Sequence, residues 1–343
     1  MKKIILILLC LAVLGAIYAL GNRSGSISVN ISRQEVITPT PTPFPYADLT
    51  IPYLQNRSYD GTLTERSLVN QYGTYDAFLT SYQSDGFKIN GLLTIPNTQK
   101  PSGGFPAIVF VHGYIPPSQY QTLQKYEVYV DYLASSGFVV FKIDLRGHGD
   151  SEGTAGGAYY SSGYIVDTLN AYHALENSDF VDPKQIGLWG HSMGGNVVMR
   201  SAVAKKNIPA VVIWAGAVYT YEDLQTYRIS DASYVPPATG TPRAQSRQRL
   251  FDAVGEFAPD HPFWSQVIPT NYLEGIPTQF QIHHAVNDDV VSVEYSRNVV
   301  KVAQTKGVDI NLVEHESGGH NINGPAFSDA MRQTVEFFTT HLK

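Results

Sequence analysis

Short apolar runs alternate with stretches of helical spacing over most of this chain. Residues 78–82 and 87–95 flank the turn cluster Ser84-Asp85-Gly86, which predicts a β-hairpin. Beyond it, continuous apolar runs at 107–111, 138–143, 186–189, 210–214, 278–282 and 310–313 have the length of buried strands. Apolar residues recur every three or four positions at 126–134, 164–175, 196–204, 293–303 and 326–342, which predicts helices there. Strands that alternate with helices pair in parallel, and helices then cover both faces of the sheet. The expected fold class is therefore α/β, a mostly parallel sheet between two helical layers. Residues 217–270 interrupt the alternation and hold many Pro, Tyr and Arg. They are expected to form an insertion over one end of the sheet.

The amino end has a different pattern. Lys2 and Lys3 precede a charge-free apolar run of 17 residues, 4–20. A secretory signal has a core of about 7–15 apolar residues, and a spanning helix needs about 17–25. Cys10 lacks small residues before it, which argues against lipid attachment there. Residues 22–45 are rich in Ser, Asn, Thr and Pro and end in Thr38-Pro39-Thr40-Pro41-Thr42-Pro43, an extended linker. The expected division is a signal peptide or membrane anchor at 1–21, a linker at 22–45 and a catalytic domain at 46–343.

Composition narrows the function classes. The chain has 343 residues, 43% hydrophobic and 16% charged, which is too apolar for disorder. Its 24 basic and 30 acidic residues give a net charge of −6. Residues 1–45 contain four bases and one acid, so the remainder has 20 and 29 and lies near −9. That balance argues against nucleic acid as a partner. The single Cys excludes an internal disulfide and Cys-based zinc sites. His283, His284, His315 and His320 match no zinc spacing. No phosphate-binding or dinucleotide loop is present, so no metal and no cofactor are expected. Asn22, Asn30 and Asn56 each begin an N-x-Ser sequon, which matters only in a host that glycosylates.

Gly190-His191-Ser192-Met193-Gly194-Gly195 joins the 186–189 run to the 196–204 helix. This is G-x-S-x-G between strand and helix, the context that exposes a serine nucleophile on a sharp turn. Side chains at 190 and 194 would collide with the adjoining elements, and the following helix points its positive end at the site. From these residues the chain is identified as similar to the α/β-hydrolases. It resembles most the catalytic domain of prolyl oligopeptidase-type serine peptidases and related esterases. The resemblance runs from about Phe78 to Lys343. It includes the entry hairpin, Phe110 to Tyr114, Asp144 to Ser151, the elbow at 190–195, Pro277 to Val291 and Ser317 to His320.

A serine nucleophile needs a base, and histidine has the suitable unperturbed pKa. Of the ten histidines, His320 has the right context. It follows Gly318-Gly319 after the last strand, where the chain order Ser, acid, His places it. Asp288 and Asp289 both lie after the 278–282 strand. The family pattern His-Gly-x-x-Asp, aligned on His284, implies Asp288 as the acid, although Ala285 and Ser292 stand where that pattern has Gly and Pro. Oxyanion donors are expected from the Met193 backbone N–H and, as the resemblance implies, from Tyr114, by its N–H or its hydroxyl. Arg146-Gly147-His148-Gly149 reads as a structural turn beside the site.

These residues describe a serine hydrolase acting on a small ester or a short peptide. Ser192, Asp288 and His320 form the triad, Met193 and Tyr114 the oxyanion hole, and 217–270 the lid. Prolyl oligopeptidases usually have a propeller that gates access. Only about thirty residues separate the linker from the entry hairpin here, which favours small substrates. The rival reading is a non-enzymatic cell-surface binding domain on a hydrolase scaffold, and the intact Ser192, Asp288 and His320 argue against it. Export is expected, with membrane contact only through the N-terminal segment and residues 46–343 outside. The Pro-Thr stalk favours a retained anchor. Mass spectrometry of the mature protein is then expected to find residues 1–21 in place; a chain beginning near Asn22 and free in the medium would mean a cleaved signal.

Overall fold

The structure is a computed structural model and describes residues 44–234 and 236–342. The N-terminal apolar run and nearly all of the Ser/Thr/Pro stretch lie outside the described residues. No helix among the described residues is long and apolar enough to cross a membrane.

Among the described residues nine strands form one sheet: β1 (Ser67–Gln71), β2 (Tyr75–Ser84), β3 (Phe87–Pro96), β4 (Phe105–Val111), β5 (Val139–Ile143), β6 (Val181–His191), β7 (Ala210–Trp214), β8 (Gln279–Ala285) and β9 (Ile310–His315). Their spatial order is β1-β2-β3-β5-β4-β6-β7-β8-β9. The first four in that order pair antiparallel. All pairs from β5 to β9 are parallel. The expected hairpin is β2–β3, closed across Ser84 and Phe87.

Alternation along each strand sorts the core into two layers. On β4, Ala107, Val109 and Val111 face one layer, while Ile108 and Phe110 face the other. On β6, Leu188 joins the first layer and Trp189 the second, where it stacks on Phe110 with ring centroids 4.0 Å apart. Burial of each such side chain contributes about 1.5–3 kcal/mol. Helices α1 (Ile51–Asn56), α3 (Gly163–Glu176), α4 (Met193–Lys205) and α8 (Glu294–Thr305) bury residues in the first layer. Helices α2 (Glu127–Ser135) and α9 (Pro325–His341) pack on the second. The β7–β8 connection contains α5 (Tyr221–Tyr227), α6 (Pro242–Val254) and α7 (Trp264–Val267). The periodicity did not resolve β1, α1 or the three helices of this connection.

The loop after β5 is fixed by charge. Asp167 is fully buried in α3 and accepts Arg146 Nε at 3.0 Å, Arg146 Nη2 at 2.7 Å and the Arg146 backbone N–H at 2.9 Å. Arg146 to Gly149 is thus a turn locked to the helix behind it.

Among the histidines buried at the carboxyl ends of parallel strands are His112 after β4, His191 ending β6 and His283 in β8. Burial, reinforced by the neighbouring imidazoles of His148, His320 and His315 respectively, lowers each to about 3. Unfolded, each would bind a proton near the ordinary histidine value of about 6.5. Between those values the unfolded chain holds more protons at these sites than the folded one, so their contribution to stability is full above about pH 6.5 and is lost as the pH falls towards about 3. Each contributes a slope on the order of 1 kcal/mol per pH unit in that range, and His148 and His315, which burial also lowers, act in the same direction. Urea unfolding at stepped pH checks this, and equal midpoints at pH 7 and pH 5 would contradict it.

Candidate active site

The site lies at the carboxyl ends of the central parallel strands, where open α/β sheets place their ligands. Strand β6 is buried from Ile186 to His191 and passes directly into α4 through Ser192. Ser192 takes φ 54° and ψ −118°, a conformation that costs an L-residue about 1–3 kcal/mol. The neighbouring contacts fix the turn. A Cβ at Gly190 would lie 2.5 Å from the Gly194 carbonyl oxygen, and one at Gly194 would lie 2.4 Å from the Val111 oxygen. The Ser192 N–H donates to the Trp214 carbonyl at 2.8 Å, which extends the β6–β7 ladder into the turn. Met193 opens α4, so its N–H has no acceptor within the helix.

His320 Nδ1 lies 2.8 Å from Asp288 Oδ2. A carboxylate only accepts, so Nδ1 carries the proton and Nε2 presents its lone pair. The Asp288 carboxylate is fully shielded, while Asp289 is exposed. Asp288 Oδ1 accepts the Val290 and Val291 N–H groups, each at 2.9 Å. Its Oδ2 also faces His284 Nε2 at 3.2 Å. That nitrogen is 2.9 Å from the Val291 carbonyl as well. With two oxygens before it, His284 Nε2 is the protonated nitrogen, and its Nδ1 accepts the Ser296 hydroxyl at 2.7 Å. Burial alone would raise the Asp288 pKa. The hydrogen bonds from His284, His320 and Val291 and the charge on His320 outweigh it, and hold the carboxyl well below the usual range. The Gly319 N–H donates to Asn287 Oδ1 at 3.0 Å, which ties the His320 loop to the Asp288 loop.

Ser192 and His320 line one pocket of about 400 Å³, together with Gly113, Tyr114, Lys125 and Asp231. Among the described residues the Ser192 hydroxyl makes no hydrogen bond. The wall from 113 to 126 is held by two buried groups of β5 and the residue just after it. Asp144 accepts the Tyr120 hydroxyl at 2.8 Å and the Thr122 hydroxyl at 2.6 Å. The Lys142 ammonium donates to the Thr122 carbonyl at 2.5 Å and the Lys125 carbonyl at 2.6 Å, and burial lowers its pKa to about 8. His112 is buried against two carbonyls, 2.6 Å from Gly113 O and 3.2 Å from Asp144 O, and does not line the pocket. The opposite wall comes from the β7–β8 connection, which contributes Asp231 and Ser233. This wall is attached to the acid loop: the Ser230 N–H donates to the Val290 carbonyl at 2.9 Å, and Ile229 bridges Val291. The sequence pattern did not single out Lys125, Tyr126 or Asp231, which reach the pocket through long-range folding.

The chain has counterparts among known proteins. Residues 105–245 match the serine aminopeptidase family S33. An uncharacterized peptidase of Bacillus subtilis, YuxL, is 24% identical over 257 residues, which cover 70% of this chain and 34% of that protein. The chain spans less than half the length of the first curated relatives it matches, 34% and 42%. A puromycin-hydrolyzing peptidase of Mycobacterium tuberculosis superposes with a TM-score of 0.60 at 18% identity, covering 79% of this chain and 40% of that one. The esterase Est1E of Butyrivibrio proteoclasticus, solved with ferulic acid, has a TM-score of 0.57 at 20% identity, covering 76% and 98%. Sheet order, helical layers and these matches give the chain the α/β-hydrolase fold, and the proteins it is similar to are serine peptidases and esterases.

Proposed function

We propose that this chain cleaves carboxylic ester or amide bonds of small substrates through a covalent acyl-enzyme. The observation that carries this reading is the 2.8 Å contact of His320 Nδ1 with Asp288, which leaves Nε2 basic in the pocket that Ser192 also lines. Ser192 Oγ attacks the carbonyl carbon and its proton passes to His320 Nε2. The oxyanion is held by the Met193 and Tyr114 N–H groups, at about 2.7–4 kcal/mol for such a donor. The tetrahedral intermediate collapses, the leaving group takes the proton from His320, and the acyl group stays on Ser192. Water deprotonated by the same nitrogen then releases the acid. Asp288 remains ionised throughout, orients the ring and stabilises the imidazolium. The Ser192–His320 contact is expected to tighten once substrate is bound, as is common in such sites.

A volume of about 400 Å³ suits a short ester or a few residues of peptide. Lys125 and Asp231 give the walls a polar character better matched to such substrates than to a long acyl chain. The insertion acts as the specificity element. The resemblance to oligopeptidases supports peptides, and the esterase neighbours support esters. Export and membrane tethering through the N-terminal segment belong to the same proposal, with the active site held outside.

A fluorophosphonate probe is expected to label the native protein and not Ser192→Ala. A folded sample that takes no label would favour the binding-domain reading. Rates on short p-nitrophenyl esters beside aminoacyl and prolyl amides would assign the substrate class. Asp288→Asn is expected to lower kcat on the order of 10⁴-fold with the fold retained, because the histidine loses its tautomer. Asp289→Asn should change it little, and the reverse ranking would refute the assignment. On the acid side kcat/KM is expected to fall along a single ionisation of slope one, because the depressed Asp288 carboxyl stays ionised there. A limb of slope two would mean that a second essential group titrates with it.

A further inference from the structure

We propose that Tyr126 and His191 form a hydrogen-bonded strut that sets the oxyanion loop and the base loop against Ser192, and that Tyr126 is a positioning residue for the reaction. The inference rests on the serine hydrolase reading above. The Gly113 N–H donates to Tyr126 Oη at 2.9 Å. Tyr126 Oη lies 2.7 Å from His191 Nδ1, and His191 Nε2 lies 2.9 Å from the His320 carbonyl. The proton order follows from the partners. A carbonyl only accepts, so His191 Nε2 carries hydrogen; its Nδ1 then accepts from the Tyr126 hydroxyl, whose oxygen accepts from Gly113. Three bonds thus join the loop bearing Tyr114 to the main chain of His320, and they pass through the residue beside the nucleophile.

Two independent features show that the local backbone is shaped around this relay. A Cβ at Gly113 would lie 2.8 Å from Tyr126 Oη and 3.0 Å from His191 Nδ1. Tyr126 itself takes φ 63° immediately before α2, a strained choice for a bulky residue. Buried position, the nearby His320 ring at 4.7 Å and the order of donors all keep His191 neutral. A neutral neighbour does not oppose the charge that His320 acquires when it takes the serine proton.

An oxyanion donor and a base act chiefly on the transition state, so losing their alignment lowers kcat and spares KM. Tyr126→Phe keeps the ring and removes the relay. It is expected to lower kcat about 10–100-fold, with KM within about twofold and the protein still folded at the assay temperature, and to slow fluorophosphonate labelling in parallel. His191→Gln breaks the same relay from the other residue, and the double variant is expected to be no slower than the worse single one. Additive losses, or a KM rise that matches the kcat loss, would show two separate packing roles and overturn the strut. Labelling of Tyr126→Phe at the native rate would also overturn it, while leaving the serine hydrolase reading standing. Native protein that takes no label would remove that reading and the strut with it.

Discussion

The constraint on which the rest of this structure depends is the single-residue passage from β6 to α4. A strand in the middle of a parallel sheet must end, and a helix must begin, with only Ser192 between them. That passage requires positive φ at a non-glycine residue and almost no volume at 190 and 194. The cost is recovered by the surrounding order: Ser192 N–H on Trp214, β4 directly behind, and the apolar ends of β6 and β7 buried on both faces. A strained turn of this kind persists only where its surroundings over-determine it. Its position then brings the serine, the α4 amide end and the loops after β4, β8 and β9 to one side of the sheet.

Asp288 is the second fixed point. Two backbone amides and two imidazoles converge on one carboxylate, and each of its oxygens has two partners. The arrangement leaves His320 one orientation and one tautomer. His284, which served in the sequence only to set the register of the acid, is here one of the groups that hold it.

Legibility in the sequence followed the range of each interaction. The parallel strands and the longer helices declare themselves through local apolar spacing, and the β7 residues 210–214 coincide with their apolar run. Ser192 was legible because its turn chemistry is local. The choice of Asp288 over Asp289 rested on a pattern, whereas in the structure it rests on which carboxylate is shielded and bonded to His320. Strand β1 gave no signal because all five of its residues are exposed at the sheet edge, so no alternation marks an inner face. Tyr126 gave none either. Its partners lie 13 and 65 residues away, and no short-range pattern encodes a hydroxyl placed between them.

The attachment of the insertion to the acid loop has a mechanical consequence. Val290 and Val291 give their N–H groups to Asp288, while Val290 gives its carbonyl to Ser230 and Val291 bridges Ile229. One dipeptide is therefore shared by the wall of the pocket and by the carboxylate that contacts His320. A displacement of that wall does not stay local, because it strains the two amides that fix the carboxylate. On the proposed reading, reshaping the insertion to admit a different molecule would then also move the carboxylate that His320 contacts, so selectivity and turnover would not be independently adjustable.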